Sequence, residues 1–146
     1  MENFEYDNKT KIVFGRDVEK NVGKEAKVHG KNILLHHYGA AFVKETGLLD
    51  RVKKSLSEEG LNIYELTGVK PNPRLKDIYN GINFAKEHKI DCIIALGGGS
   101  VIDSAKSIGI GLKYDGDVWD FFEGKSNVEE TVPVGVILTL PGAGSE

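Results

Sequence analysis

The sequence has 146 residues, of which 40% are hydrophobic and 28% are charged, a composition typical of one folded domain with a core of its own. Its 19 basic and 22 acidic residues are interspersed and give a formal net charge of −3, which argues against nucleic-acid or anionic-membrane binding. The one cysteine, Cys92, excludes an intrachain disulfide. Since no leader and no membrane-spanning apolar run is recognised, we expect a cytoplasmic protein.

Short apolar runs alternate along the chain with segments of helical period. Strands are predicted at 10–15, 31–39, 61–68, 91–97 and 132–140. Helices are predicted at 17–30, 40–46, 48–60, 74–88 and 100–112, and in the aromatic segment after them Trp119 is expected to pack into the core. Such alternation predicts an α/β fold, an open and mainly parallel sheet with helices on both faces.

The segment "GGGS", Gly97 to Ser100, stands between a predicted strand and a predicted helix. Ligands of open α/β sheets bind beyond the carboxyl ends of the strands, where first-turn amides and the helix dipole favour an anion. Three successive residues without a β-carbon let phosphate oxygens reach the main chain, and Ser100 adds a hydroxyl and a candidate N-cap. The loop therefore predicts binding of a phosphate or pyrophosphate.

Other interpretations of this loop remain open from its sequence alone. It could be a tight turn in which the glycines only permit unusual dihedral angles. It is not the dinucleotide fingerprint, because Ile102 stands where the third glycine would be, and it lacks the lysine of a P-loop. Asp103, expected in the first helical turn, could complement the helix dipole or accept a hydrogen bond from a ribose or carboxamide.

The exits of the other predicted strands carry further candidates. Gly39 follows the first βα strand, Asn72 lies between two prolines after the second, and Thr139 ends the last one. If the strands are parallel, all three lie at the edge that carries the glycine loop. His36 and His37 point to opposite faces of their strand and are not expected to share a metal.

Five segments taken together resemble the iron-containing (group III) alcohol dehydrogenases, most closely the butanol dehydrogenase branch. They are "MENFEYDNKTKIVFG", "GVKPNP", "GGGSVIDSAK", "YDGDVWDFF" and "TLPGAGSE". The resemblance implies that residues 1–146 form a Rossmann-like, dehydroquinate synthase-like nucleotide-binding domain. It implies cofactor contacts for the glycine loop and the strand exits, at Gly39, Asn72, Gly97, Gly98, Gly99, Ser100, Asp103, Thr139 and Leu140.

Departures from the family pattern bear on the choice of cofactor. NAD-preferring relatives end the first βα strand with an aspartate, whereas this chain has no carboxylate there before Glu45, which favours NADP(H) over NAD(H). Phe42 replaces a small polar residue that would face a phosphate. Ala143 replaces a threonine in "PGAGSE" and so removes a hydroxyl.

The resemblance also implies what lies outside this chain. In the family, a divalent metal, iron or zinc, is held by an aspartate and three histidines of a C-terminal helical domain, and nothing in this sequence matches them. We therefore expect the cofactor-binding part of a homodimeric enzyme that reduces aldehydes to primary alcohols such as butanol, inactive by itself. As in relatives, its dimer is expected to use the edge strand near Thr10 to Phe14. The alternative is a stand-alone, non-catalytic nucleotide- or phosphate-binding module.

Overall fold

The computed structural model describes residues 9–39 and 45–146, and its centre is one parallel sheet. The strands are β1 (Asn32–His37), β2 (Asn62–Leu66), β3 (Cys92–Gly97) and β4 (Val134–Leu138), in the order β2-β1-β3-β4. A 3-10 turn, Val18–Asn21, precedes the helices whose bounds the described residues give: α1 (Val22–Lys27), α2 (Leu48–Glu58), α3 (Leu75–Glu87), α4 (Gly99–Leu112) and α5 (Trp119–Phe122).

Both faces of the sheet are covered, because the two central strands are apolar on both sides. On β1, Ile33 and Leu35 pack against α1 and α2, whereas Leu34 between them packs against α3 and α4. All six residues of β3 are buried, as expected for the interior strand of a parallel sheet. The predicted fold, an open parallel sheet with helices on both faces, is therefore confirmed.

The order of the strands creates a switch point between β1 and β3. After β1 the chain forms α2 on one face of the sheet and then adds β2 next to β1. It crosses to the other face in α3 and then adds β3 on the opposite side of β1. The loops that follow β1 and β3 therefore diverge to opposite faces of the sheet. A crevice at such a point is where open α/β sheets bind ligands.

The predicted strand at 10–15 is wrong. Residues 9–14 form no regular structure and belong to no strand of the described sheet. Ile12 and Phe14 are 81% and 96% exposed, and Lys11 attaches the segment to α1 by hydrogen bonds of 2.7 and 2.6 Å to the Glu25 carboxylate. Alternating apolar residues form a strand only beside a partner strand, and the described residues offer none there.

Two other expectations need correction. Trp119 is 44% exposed and stacks on Phe122, whereas the preceding residue, Val118, is buried in the core. The last strand is shorter than predicted and ends at Leu138.

Most of the helix predicted at 40–46, including Phe42, lies outside the described residues. None of the described helices has the length and apolar character needed to cross a bilayer.

Helices α1 and α2 touch through their backbones at Gly23. A β-carbon at this position would lie 2.1 Å from the carbonyl oxygen of Ser55 and 2.7 Å from its carbonyl carbon. The Ser55 hydroxyl accepts a 3.0 Å hydrogen bond from the Gly23 amide and donates a 2.6 Å bond to the Lys20 carbonyl. The contact leaves no room for a side chain.

We predict that Gly23→Ala lowers the free energy of unfolding by about 1–3 kcal/mol, because the two helices must separate to admit a methyl group. Urea denaturation monitored by circular dichroism measures this change. The exposed neighbour provides the control, since Lys24→Ala should change stability by no more than about 0.5 kcal/mol. Equal stabilities for the two variants would contradict the proposed backbone contact.

Candidate functional site

A single residue, Gly98, connects the central strand to the longest described helix. Strand β3 ends at Gly97 and α4 begins at Gly99. The carbonyl of Gly98 accepts hydrogen bonds from the amides of Val101 and Ile102, at 3.0 and 3.2 Å, so Gly98 is the N-cap residue. The sequence prediction that Ser100 is the N-cap is wrong, because the helix starts earlier than expected.

The first turn of α4 presents amide donors to the carboxyl edge of the sheet. Within the described residues, the N–H groups of Gly99 and Ser100 donate to no backbone carbonyl, as is general for the first residues of a helix. The dipole of this 14-residue helix adds a partial positive charge at the same place. The loop can therefore hold an anion such as a phosphate.

The three glycines differ in what requires them. A β-carbon at Gly97 would lie 2.6 Å from Cγ2 of Val101, and one at Gly99 would lie 2.6 Å from Cβ of Ala143. At Gly98 the nearest atoms, both of Leu140, would be 3.8 Å away, which is an ordinary contact distance. The backbone of Gly98 is extended, with φ −101°, a conformation open to any residue. Packing thus explains Gly97 and Gly99, but neither packing nor backbone geometry explains Gly98.

Several of the predicted residues meet at this loop. The amide of Asn72, in the connection between β2 and α3, donates a long 3.4 Å hydrogen bond to Oγ of Ser100. The amide of Thr139 donates a 3.1 Å bond to the carbonyl of Gly97, which places Leu140 beside Gly98. The exits of β2, β3 and β4 therefore converge, as parallel strands require.

Gly39 and Asp103 lie at the border of this group. Gly39 follows β1 in a left-handed conformation, with φ 71°, and its neighbour Tyr38 would be 3.4 Å from a β-carbon at Gly97. Asp103 is the fifth residue of α4 and thus lies beyond the first turn in which it was expected. Its carboxylate is exposed and forms no hydrogen bond or ion pair with the part of the chain that the structure describes.

The segment after β4 covers one side of the glycine loop, and the sequence did not indicate how it would be attached. Ala143 approaches Gly99, and the carbonyl of Ser145 accepts a hydrogen bond from Nζ of Lys106 on α4. The lysine comes two turns after the loop, on the exposed side of the helix. Only its spacing from Ser100, six residues, could have hinted that it borders the site.

The two adjacent histidines at the end of β1 are buried and engage opposite layers, as the alternation of a strand predicts. His36 contacts the carbonyl of Leu66 on β2 and the hydroxyl of Ser104 on α4. His37 lies on the other face, where its Nε2 is 3.0 Å from Glu65 and its Nδ1 accepts a 3.0 Å hydrogen bond from the Gly39 amide. Both rings therefore bind groups that adjoin the predicted site.

Glu65, on the neighbouring strand β2, places a carboxylate near the end of β1. The sequence alone does not show this, because the proximity depends on the pairing of β1 with β2. It forms an ion pair with Lys53 of α2 and a hydrogen bond with His37. Burial raises the pKa of the Glu65 carboxyl, but the bonds from Lys53 and His37 outweigh this and hold its pKa below the ordinary value. The charge of this carboxylate is thus compensated within the protein.

No metal centre is found among residues 9–39 and 45–146, where no three His, Cys, Asp or Glu side chains are grouped so that they could hold an ion. His36 and His37 are each occupied by other partners, and burial raises the pKa of the Cys92 thiol to about 11. The described side chains thus do not fit a divalent metal.

A family model and the sequences of known proteins both relate the chain to alcohol dehydrogenases and aldehyde reductases. The family model for "Iron-containing alcohol dehydrogenase" matches residues 9–146. The chain is 50% identical over 146 residues to a probable NADH-dependent butanol dehydrogenase 2 of Bacillus subtilis, and 34% identical over 149 residues to the NADPH-dependent aldehyde reductase YqhD of Escherichia coli. All of the chain is covered in both cases, but it spans only 37% and 38% of the length of these relatives.

Solved structures show the same similarity. The NADH-dependent butanol dehydrogenase A of Thermotoga maritima superposes with a TM-score of 0.90 at 42% identity, over 96% of this chain and 35% of the other. The cofactor-free aldehyde reductase YqhD of Escherichia coli superposes with a TM-score of 0.85 at 32% identity, over 96% of this chain and 37% of the other.

We predict that the glycines of the loop respond differently to a β-carbon. Gly97→Ala should lower the free energy of unfolding by about 1–3 kcal/mol, because the new methyl overlaps Val101, which is fully buried. Gly98→Ala should change it by less than about 0.5 kcal/mol. Urea unfolding of both variants measures the difference, and a destabilised Gly98→Ala would mean that the loop itself requires this glycine.

Proposed function

The chain belongs to the iron-containing alcohol dehydrogenase family, and on that premise we propose that residues 1–146 form the nucleotide-binding domain of an NAD(P)H-dependent alcohol dehydrogenase or aldehyde reductase. Primary alcohols such as butanol are the proposed substrate class of the whole enzyme. The names of the similar proteins, butanol dehydrogenases and an aldehyde reductase, support this choice. The part of this function that we assign to the chain itself is nucleotide binding, and we derive it from the glycine loop, Gly97–Ser100.

The observation that carries the proposal is the unexplained glycine at position 98. A β-carbon would fit there without a clash and the backbone conformation would tolerate it, so neither packing nor conformation accounts for a glycine at this position. A phosphate approaching the free amides of Gly99 and Ser100 needs that space. A cofactor pyrophosphate therefore accounts for the one glycine that the protein structure leaves unexplained.

Each remaining candidate residue has a proposed part in holding the nucleotide. The loop Gly97–Ser100 binds the pyrophosphate through its amides and the Ser100 hydroxyl. Asn72 and Asp103 border the cofactor from the neighbouring loop and from α4, and Gly39, Thr139 and Leu140 flank its adenosine part. When bound, the nucleotide supplies or accepts the hydride, and these residues bind and orient it. Carbonyl activation is assigned to no described residue.

For the nucleotide itself, we propose that NADP(H) is accepted and that NAD(H) competes for the same site. NAD-specific sites repel the 2′-phosphate with a carboxylate that also binds the ribose. Glu65 is linked to Gly39 through the His37 ring, and Lys53 compensates the charge of its carboxylate. The names of relatives include both cofactors, NADH at 50% identity and NADPH at 34%.

We predict that Gly98→Val weakens the binding of NADPH and NADH by more than about tenfold, because its side chain takes the space of the phosphate and removes charge-assisted hydrogen bonds. Titration monitored by nucleotide fluorescence gives the dissociation constants, and circular dichroism should remain near native. Inorganic phosphate should compete in the unaltered protein.

A matched control is Thr131→Val, an exposed substitution before β4 and hence at the opposite edge of the sheet, which should leave binding unchanged. If Gly98→Val binds nucleotide as well as the unaltered protein does, the loop is only a structural turn. If the fluorescence titration of the unaltered protein shows no saturable binding of NADPH or NADH, the proposed function is wrong.

We further propose a homodimer that forms through residues 10–14. Residues 11–14 belong to none of the four strands of the described sheet, and they expose Ile12, Val13 and Phe14. A second copy of the segment would cover these exposed apolar side chains.

We predict that Phe14→Glu shifts the protein from dimer toward monomer, because it places a charge in the apolar contact. Sedimentation velocity at several concentrations measures this shift. Phe122→Glu is the matched control, since Phe122 is a comparable phenylalanine, 58% exposed, on α5. Loss of the dimer in the control but not in Phe14→Glu would place the interface elsewhere.

A further inference from the structure

His36 is a polar ring enclosed in an apolar layer. It is 3% exposed and lies on the face of β1 that also carries Leu34, between the sheet and helix α4. A buried imidazole is unfavourable unless both of its nitrogens find hydrogen-bond partners. The ring must therefore be held in one orientation by whatever satisfies those nitrogens.

The partners fix the role of each nitrogen. Nδ1 is 3.1 Å from the carbonyl oxygen of Leu66, which can only accept, so Nδ1 carries the proton. Burial lowers the pKa of His36 to about 4, so the ring is neutral near pH 7 and Nε2 has a free lone pair. Nε2 therefore accepts the 2.9 Å hydrogen bond that the Ser104 hydroxyl donates.

This arrangement joins three elements through one ring. Leu66 is the last residue of β2, His36 is the fifth residue of β1, and Ser104 lies on α4, four residues beyond Ser100. In the described part of the chain, the bond from Ser104 is the only side-chain hydrogen bond between α4 and the sheet. The other contacts of α4 with the strands are apolar, and at its far end the carbonyl of Gly109 accepts a 3.2 Å hydrogen bond from the amide of Val132, ahead of β4. The bond from Ser104 is therefore the directional contact with the strands that lies nearest the first turn of the helix.

We propose that His36 is a positioning residue for nucleotide binding, which acts through Ser104 to fix the first turn of α4 relative to the ends of β1 and β2. The amides of Gly99 and Ser100 then point at the phosphate site before the ligand arrives. This inference rests on the proposed nucleotide-binding function. It adds a residue that contacts no part of the ligand and that lies outside the glycine loop.

The test is a double-mutant cycle with two readouts, the nucleotide dissociation constant and the free energy of unfolding. His36→Leu removes both hydrogen bonds of the ring, and Ser104→Ala removes only the bond to the helix. Each is expected to weaken NADPH binding by about five- to tenfold, the range that one buried hydrogen bond supports. The double variant should bind NADPH no more weakly than His36→Leu does, because both substitutions remove the same hydrogen bond between His36 and Ser104.

Ser107→Ala is the matched control, since the Ser107 hydroxyl donates within α4 to the carbonyl of Asp103 and does not reach the sheet. It should leave the dissociation constant unchanged. If His36→Leu does not fold, Ser104→Ala alone decides, because it removes a single hydroxyl.

The outcomes separate this inference from the function on which it rests. If the unaltered protein binds no nucleotide, both fail. If the unaltered protein binds, but the variants lose only stability and keep its dissociation constant, His36 is purely structural and the inference is wrong. Additive losses of affinity in the double variant would also overturn it, because they would show that His36 and Ser104 act independently.

Discussion

Strand β3 and helix α4 are separated by one residue, so the end of the most buried strand directly determines where the longest described helix begins. The turn can be this short because Gly97 and Gly99 leave room for Val101 and Ala143. A longer connection would move the free amides away from the exits of β2 and β4. The contacts of Asn72 and Thr139 with the loop, and with them the whole candidate site, follow from this turn.

The fold was largely predictable, because the two central strands contain continuous apolar runs, Ile33 to Leu35 in β1 and Cys92 to Leu96 in β3, and each following helix has its own period. The run from Cys92 to Leu96 has only one way to be buried on both sides, as the middle of a parallel sheet. The segment at 10–14 has similar residues but no neighbouring strand in the described chain, and sequence cannot supply a partner. The helix start was misplaced because the Gly98 carbonyl, rather than the Ser100 hydroxyl, decides it.

The sequence predicted where the candidate site lies, but it did not predict the buried hydrogen bonds that hold the site in place. Glycines and polar residues at strand exits are visible in the sequence, and parallel topology brings them together. The ties of His36 to Ser104 and of His37 to Glu65 join residues 68 and 28 positions apart, so they depend on the register of β1 with its neighbours. Alternation along β1 correctly placed the two histidine rings on opposite faces of the sheet, yet it did not reveal that both rings bond groups in neighbouring elements.

Positioning by buried side chains has a thermodynamic reason at a phosphate site. Amides that are already fixed lose little entropy when they bind, whereas a mobile helix start would have to be ordered at the expense of affinity. His36 fixes α4 from inside the fold, and Asn72 touches the same turn from outside through Ser100. Because the inner bond is shielded from water and the outer one is long and exposed, the inner bond should contribute more to the rigidity of the loop.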